Sequence, residues 1–116
     1  LSFEYSAVSR GSYKHIKIDI DTISFSKKRK SKSLKIACDA NYWNNLTKLC
    51  DDLDIENIPN LEAPSKKFQF DGALLAHLKI NSNGNTYESA PFDHGNPPKE
   101  IAAIVKEILS SAQNIE

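Results

Sequence analysis

Leu1, Phe3, Tyr5 and Ala7 alternate with Ser2, Glu4 and Ser6, the period of a strand with one buried face. Ser9-Arg10-Gly11-Ser12 interrupts that run as a turn does. Beyond it Ile16, Ile18 and Ile20 point one way, and His15, Lys17 and Asp19 the other. Asp21-Thr22 reads as a tight turn, after which Ile23 and Phe25 resume the alternation. The three predicted strands form an antiparallel meander, and Leu34, Ile36 and Cys38 predict a short fourth. Asp39 is placed to cap a helix, because its carboxylate can accept the unpaired amides of a first turn. Trp43, Leu46, Leu49, Cys50 and Leu53 then share one face at helical spacing. Asp51, Asp52 and Asp54 crowd the negative end of that helix, so fraying is expected there.

Residues 55–65 carry Pro59 and Pro64 and read as an extended connector pinned by Ile58 and Leu61. Phe68 and Phe70 alternate, Asp71-Gly72 interrupts as a bulge or bend, and Leu74, Ala76, Leu78 and Ile80 form the clearest strand. Asn83-Gly84 predicts a two-residue hairpin, since both residues accept positive φ at low cost, with Tyr87 and Ser89 on the returning strand. Phe92-Asp93-His94-Gly95 reads as a loop. Asn96 is a cap candidate, and Pro97 suits the first position of a final helix. Ile101, Ile104, Val105, Ile108 and Leu109 supply its apolar stripe. The order is strands, helix, strands, helix. It predicts a single α+β domain over residues 1–116, with an antiparallel sheet and two helices packed on one face.

The 116 residues fit one core and leave little room for a second. Fifteen Lys and Arg balance fifteen Asp and Glu, so nothing global points to nucleic acid. No apolar stretch approaches the ~18 residues that span a bilayer, and no membrane span is expected. Cys38 and Cys50 permit at most one intrachain disulfide, and the spacing leaves open whether it forms.

His94 beside Asp93 is the pair to test for acid–base chemistry, with Asp71 and Tyr87 as further members. An Asp-His-Gly turn ahead of Pro-Pro is also what a rigid loop looks like, and that reading outweighs catalysis. The histidines His15, His77 and His94 show no metal-ligand spacing with one another or with the cysteines, and no glycine-rich loop is built for phosphate. Neither metal nor cofactor is expected. Lys27, Lys28, Arg29, Lys30, Lys32 and Lys35 form a basic run without an interleaved aromatic residue. A solvated hairpin tip accounts for it more simply than a strand-stacking surface. Residues 9–12 and 61–66 are irregular segments on an otherwise regular scaffold, where binding tends to sit.

Ser9-Arg10-Gly11, Leu61-Glu62-Ala63-Pro64-Ser65, Asp71-Gly72-Ala73 and Phe92-Asp93-His94-Gly95-Asn96-Pro97-Pro98 together resemble an uncharacterised family of small exported bacterial proteins, many of them lipoproteins. The resemblance covers nearly the whole chain. It implies a location in the periplasm, at the outer membrane or outside the cell. It also implies a precursor that carried an export signal and a lipidated cysteine ahead of Leu1. It implies no activity. Element order, the glycine in the first turn and the helix after Pro-Pro carry a second resemblance, to emfourin-like inhibitors of thermolysin-type metallopeptidases. Arg10-Gly11-Ser12 stands where that family has Gly-Gly-Phe, so no inhibitory residue is carried over.

The resulting expectation is a noncatalytic, protein-binding domain: a peptidase inhibitor, or an immunity protein that neutralises a toxin. Its contacts would come from Ser9, Arg10 and Gly11 in the first turn and from Phe92, Asp93 and His94 in the last loop. The alternatives are a small hydrolase or metal-dependent enzyme centred on Asp71, Asp93 and His94, and a structural component of the envelope.

Overall fold

In the computed structural model, which describes residues 1–29 and 32–113, the first alternating run becomes β1 (Ser2–Val8), every second residue of which is buried. It is followed by β2 (Tyr13–Ile18), β3 (Thr22–Ser26), β4 (Leu34–Ala37) and the helix α1 (Ala40–Asp51). The second half supplies β5 (Leu75–Ser82), β6 (Asn85–Glu88), β7 (Phe92–Asp93) and the helix α2 (Ala102–Gln113). The described strands form one antiparallel sheet in the order β4-β3-β2-β1-β5-β6, with β7 paired to β5 beside β6.

Register explains the core. Phe3 lies between Ile18 and Ile80, Tyr5 between Ile16 and Leu78, and all six side chains are fully buried. Opposed residues share a face, so these rows build one continuous apolar surface, which both helices cover. Trp43 of α1 meets Phe3 edge-on at 5.7 Å. The Tyr42 hydroxyl donates to the Glu107 carbonyl of α2 at 2.6 Å, joining the helices. Burial pushes the Tyr42 phenol up to about 12, so it remains a donor throughout the useful pH range. The domain is α+β, with the predicted order and the predicted one-sided layering.

Local expectations fail where a side chain supplies hydrogen bonds that a strand or helix would otherwise make. Asp19 accepts the amides of Asp21 and Thr22 at 2.9 and 2.7 Å, which starts the β2–β3 turn early. Ile20 therefore sits at the tip, 61% exposed, rather than continuing the Ile16–Ile18 face. Asp39 precedes α1 in extended geometry, but its carboxylate makes no capping bond. The supposed extended connector holds a 3₁₀ turn over Ile55–Asn60, with Ile58 buried beneath it. Phe68 and Phe70 do not alternate in a strand, because Lys67–Phe70 is a 3₁₀ turn closed by Asp71 in the left-handed region at φ 59°. The last helix enters through a 3₁₀ turn at Lys99–Ile101, and Pro98, not Asn96, precedes it. The Asn83-Gly84 hairpin forms as the dipeptide predicts, with φ of 53° and 80°.

Helix cover stops before the β4 edge. Leu46 of α1 is fully buried, whereas Leu34 of β4 is 55% exposed. Leu46→Ala should therefore cost about 2–5 kcal/mol. Leu34→Ala should stay within about 0.5 kcal/mol. Urea denaturation of the two variants measures both.

Candidate functional site

Val8 pairs with both Tyr13 and Leu75, and Leu75 pairs with Asp93. One end of the sheet therefore gathers the first turn, the entry to β5 and the loop after β7. Ser9 N–H closes the first turn on the Ser12 carbonyl at 2.9 Å, leaving Arg10, Gly11 and Ser12 exposed. Residues 9–13 and 27–29 border a shallow groove of ≈ 230 Å³. The Arg29 guanidinium stacks on Tyr13 at 5.6 Å and Lys27 lies over Phe25 at 5.9 Å. With Arg10 and Lys28 also on its border, the groove is cationic. Lys30 lies outside the described residues.

Asp93 organises the other half of this end. Its carboxylate accepts Ser65 Oγ–H and the backbone amides of Lys67 at 3.0 Å and Phe68 at 2.8 Å. Burial opposes the charge, but these bonds and the neighbouring Lys67 ammonium outweigh it and hold the carboxyl below the usual aspartate range. Asn96 adds a bond from Nδ2 to Ser65 Oγ at 2.9 Å. The backbone amides of Asp71 and Gly72 both close on the Lys67 carbonyl. A Cβ on Gly72 would come within 3.1 Å of the Lys67 Cβ, so the turn is tight. This fastened turn displays Phe70, 83% exposed.

His94 turns to a different partner. Its Nδ1 shares a hydrogen bond of 2.7 Å with the Tyr5 hydroxyl, and the two rings lie 5.7 Å apart. Burial, then the charge of Lys14, push the His94 pKa down, and burial pushes the Tyr5 phenol up. Both therefore stay neutral at pH 7. Asp71 is an exposed turn residue. Asp93 and His94 thus engage separate structural partners, and Asp71 lies in an exposed turn.

Of the residues expected to meet a partner, Ser9, Arg10 and Gly11 lie at the surface or close to it, and His94 is half-buried. Phe92 is fully buried and Asp93 is 2% exposed. They brace the loop end from inside, in the strand β7 where a loop was expected, and offer no surface to a partner. Phe70 had no signal in the sequence beyond its mistaken reading as a strand residue. Cys38 and Cys50 are free thiols. Burial raises both their pKa values, with acidic neighbours adding to the effect, so neither is an activated nucleophile.

The uncovered sheet face carries ordered charge. Glu88, Lys79, Glu4 and Lys17 follow one another across four strands. His15 and His77 flank Ser6 in the next row. His15 Nε2 lies 3.3 Å from Glu4, and His77 Nδ1 approaches the Ser89 carbonyl at 3.0 Å. Among the described residues no group of three or more His, Cys, Asp or Glu side chains is arranged to hold a metal ion. Comparison with family models, curated protein sequences and solved structures finds no match for this chain.

An amide in place of the Asp93 carboxylate keeps one acceptor oxygen and turns an NH2 toward a donor. Asp93→Asn should lower the melting temperature and speed amide exchange at Lys67 and Phe68, leaving β1 protected. In the native chain the stability supplied by this carboxylate is full above the unfolded aspartate value of about 3.9. It is lost as the pH falls through the lower folded value. His94 acts with the opposite charge and in a higher window. Because its folded pKa is depressed, stability falls as the pH drops below the unfolded histidine value of about 6.5 and levels off beneath the folded one. Thermal melts of His94→Gln between these limits should lose that part of the slope.

Proposed function

We propose that this chain is a noncatalytic protein-binding domain, and most concretely a peptidase inhibitor that inserts an ordered loop into a partner's cleft. The observation that carries the reading is the turn after Lys66, fastened by a buried carboxylate and displaying a nearly bare phenylalanine. An exposed aromatic side chain is costly to leave in water. On a turn already held by Ser65, Lys67 and Phe68, it reaches an apolar pocket with little further ordering cost. Arg10 and the cationic groove would supply orientation and on-rate beside it. An immunity protein against a toxin would use the same surface in the same way.

The resemblance to small exported bacterial proteins supports a periplasmic, outer-membrane-anchored or secreted location, with a lipid anchor on the precursor. The resemblance to emfourin-like inhibitors supports a metallopeptidase as the target class. In this reading Phe92 and Asp93 hold the loop from below while Phe70 makes the contact.

Capture from bacterial envelope and secreted fractions, read by mass spectrometry, tests the proposal. One dominant peptidase or toxin should be retained. Phe70→Ala should weaken its retention by tenfold or more, on the order of 2 kcal/mol for a central aromatic anchor, without changing the melting temperature. Arg10→Ala should act mainly on the association rate and its salt dependence. Retention indifferent to Phe70, or no retained protein, would refute the loop as the binding element.

A further inference from the structure

β4 is the outermost strand on its side of the sheet, and no described strand pairs with its far edge. Its register with β3 opposes Leu34 to Phe25 and Ile36 to Ile23. Phe25 and Ile23 are buried, so Leu34 and Ile36 continue the core rows past the end of the helix layer, 55% and 41% exposed. Lys35 opposes Ser24 and belongs to the other face.

The backbone can be resolved as well. Cys38 N–H donates to the Asp21 carbonyl at 2.9 Å. Hydrogen bonding alternates along an antiparallel ladder, so Ile36 and Leu34 also bond inward to β3. Lys35 and Ala37 therefore turn their N–H and C=O groups outward, into open solvent. The edge offers an unpaired donor–acceptor row with two apolar side chains on one face, the arrangement that accepts an added strand.

Charge selects the strand. Lys35 lies in β4 and Lys32 just before it, and Lys27, Lys28 and Arg29 follow the end of β3. A second copy paired in the register that sets Lys35 against Lys35 would bring like charges together, and lysine on an edge opposes that self-pairing. An acidic strand meets no such penalty along the Leu34–Lys35 half of the edge, and Asp19, Asp21 and Asp39 near Cys38 set the limit of that half.

We propose that β4 docks an extended segment of another protein in which apolar and acidic residues alternate. The apolar residues would extend the Leu34 and Ile36 row, and the carboxylates would face Lys35 and its neighbours. This surface is distinct from the Phe70 turn and does not depend on the loop reading.

The test titrates the isotopically labelled chain with two short capped peptides, one alternating glutamate with valine and one alternating lysine with valine. The acidic peptide should shift the Lys35 and Ala37 amides and slow their exchange, and the basic peptide should not. Ala37→Pro removes an outward N–H that the fold does not use, a position where an edge strand tolerates proline. It should weaken the acidic peptide by about tenfold or more while leaving the β1 and β2 spectrum intact. The paired change Lys32→Glu with Lys35→Glu should reverse the preference between peptides, and it decides the matter if the proline variant does not fold. The proposal is overturned by absent binding at millimolar peptide, by equal binding of the two peptides, or by shifts that map elsewhere. A dimer in sedimentation that Ala37→Pro dissociates would overturn it too, by assigning the edge to a second copy. Failure to capture an envelope protein through Phe70, with peptide binding intact, would remove the loop reading alone.

Discussion

A sheet six strands wide is covered on one face by two helices of twelve residues each, and most of the molecule follows from that mismatch. Strands spaced at about 4.8 Å make the sheet roughly 24 Å across. Two helices packed about 10 Å apart shield about 20 Å. The 3₁₀ turn over Ile55–Asn60 makes up part of the difference by packing toward β6 with Ile58 buried. On the opposite side nothing described performs that service. The apolar rows that are sealed at Phe25 and Ile23 therefore emerge at Leu34 and Ile36.

The same economy governs the loop end. Two helices cannot also support the long irregular stretch between α1 and β5, so polar chemistry does it. Asp93 reaches back across 25 to 28 residues to gather Ser65, Lys67 and Phe68. This works because β7, though only two residues long, is fixed to β5 at Leu75 and Ala76. A buried carboxylate is tolerable only when its oxygens are occupied. Here they are, and among the described residues the protein leaves no buried side-chain donor or acceptor unpaired. The surface that results is fastened by side-chain hydrogen bonds where the backbone is irregular.

The α+β architecture was legible because period-2 and period-3.6 patterns each report burial on one face, and burial drives both. β1, β5 and α2 carry such patterns over enough residues to be unambiguous. The failures share a cause: each turns on a hydrogen bond between residues whose pairing the linear pattern does not encode. Asp19 ends β2 through its own carboxylate, against the apolar signal of Ile20. Phe92-Asp93 looks like a loop because two residues are too few to show a period, yet pairing with β5 makes them a strand. Phe70 follows Phe68 at strand spacing, and only the Asp93 contacts reveal that the segment curls instead. Of the candidate binding residues, Arg10 and Gly11 were visible as turn residues that must be exposed. The inward role of Phe92 and Asp93 was not visible, since inward and outward loop residues look alike without the partner.

Charge then separates what the two unfinished surfaces can do. The core rows end at β4 with lysines around its first half, so the exposed leucine is guarded against a copy that would set lysine on lysine. That guard gathers positive charge at one end of an edge in a chain whose fifteen basic and fifteen acidic residues balance overall. Phe70 faces a different constraint. It stands out, 83% exposed, on a turn pinned at both ends. A partner engaging both surfaces would have to span the cationic groove at Lys27–Arg29, where β3 ends and the first turn approaches. Such a partner gains from linkage without any new contact, because the second site is met at high effective concentration.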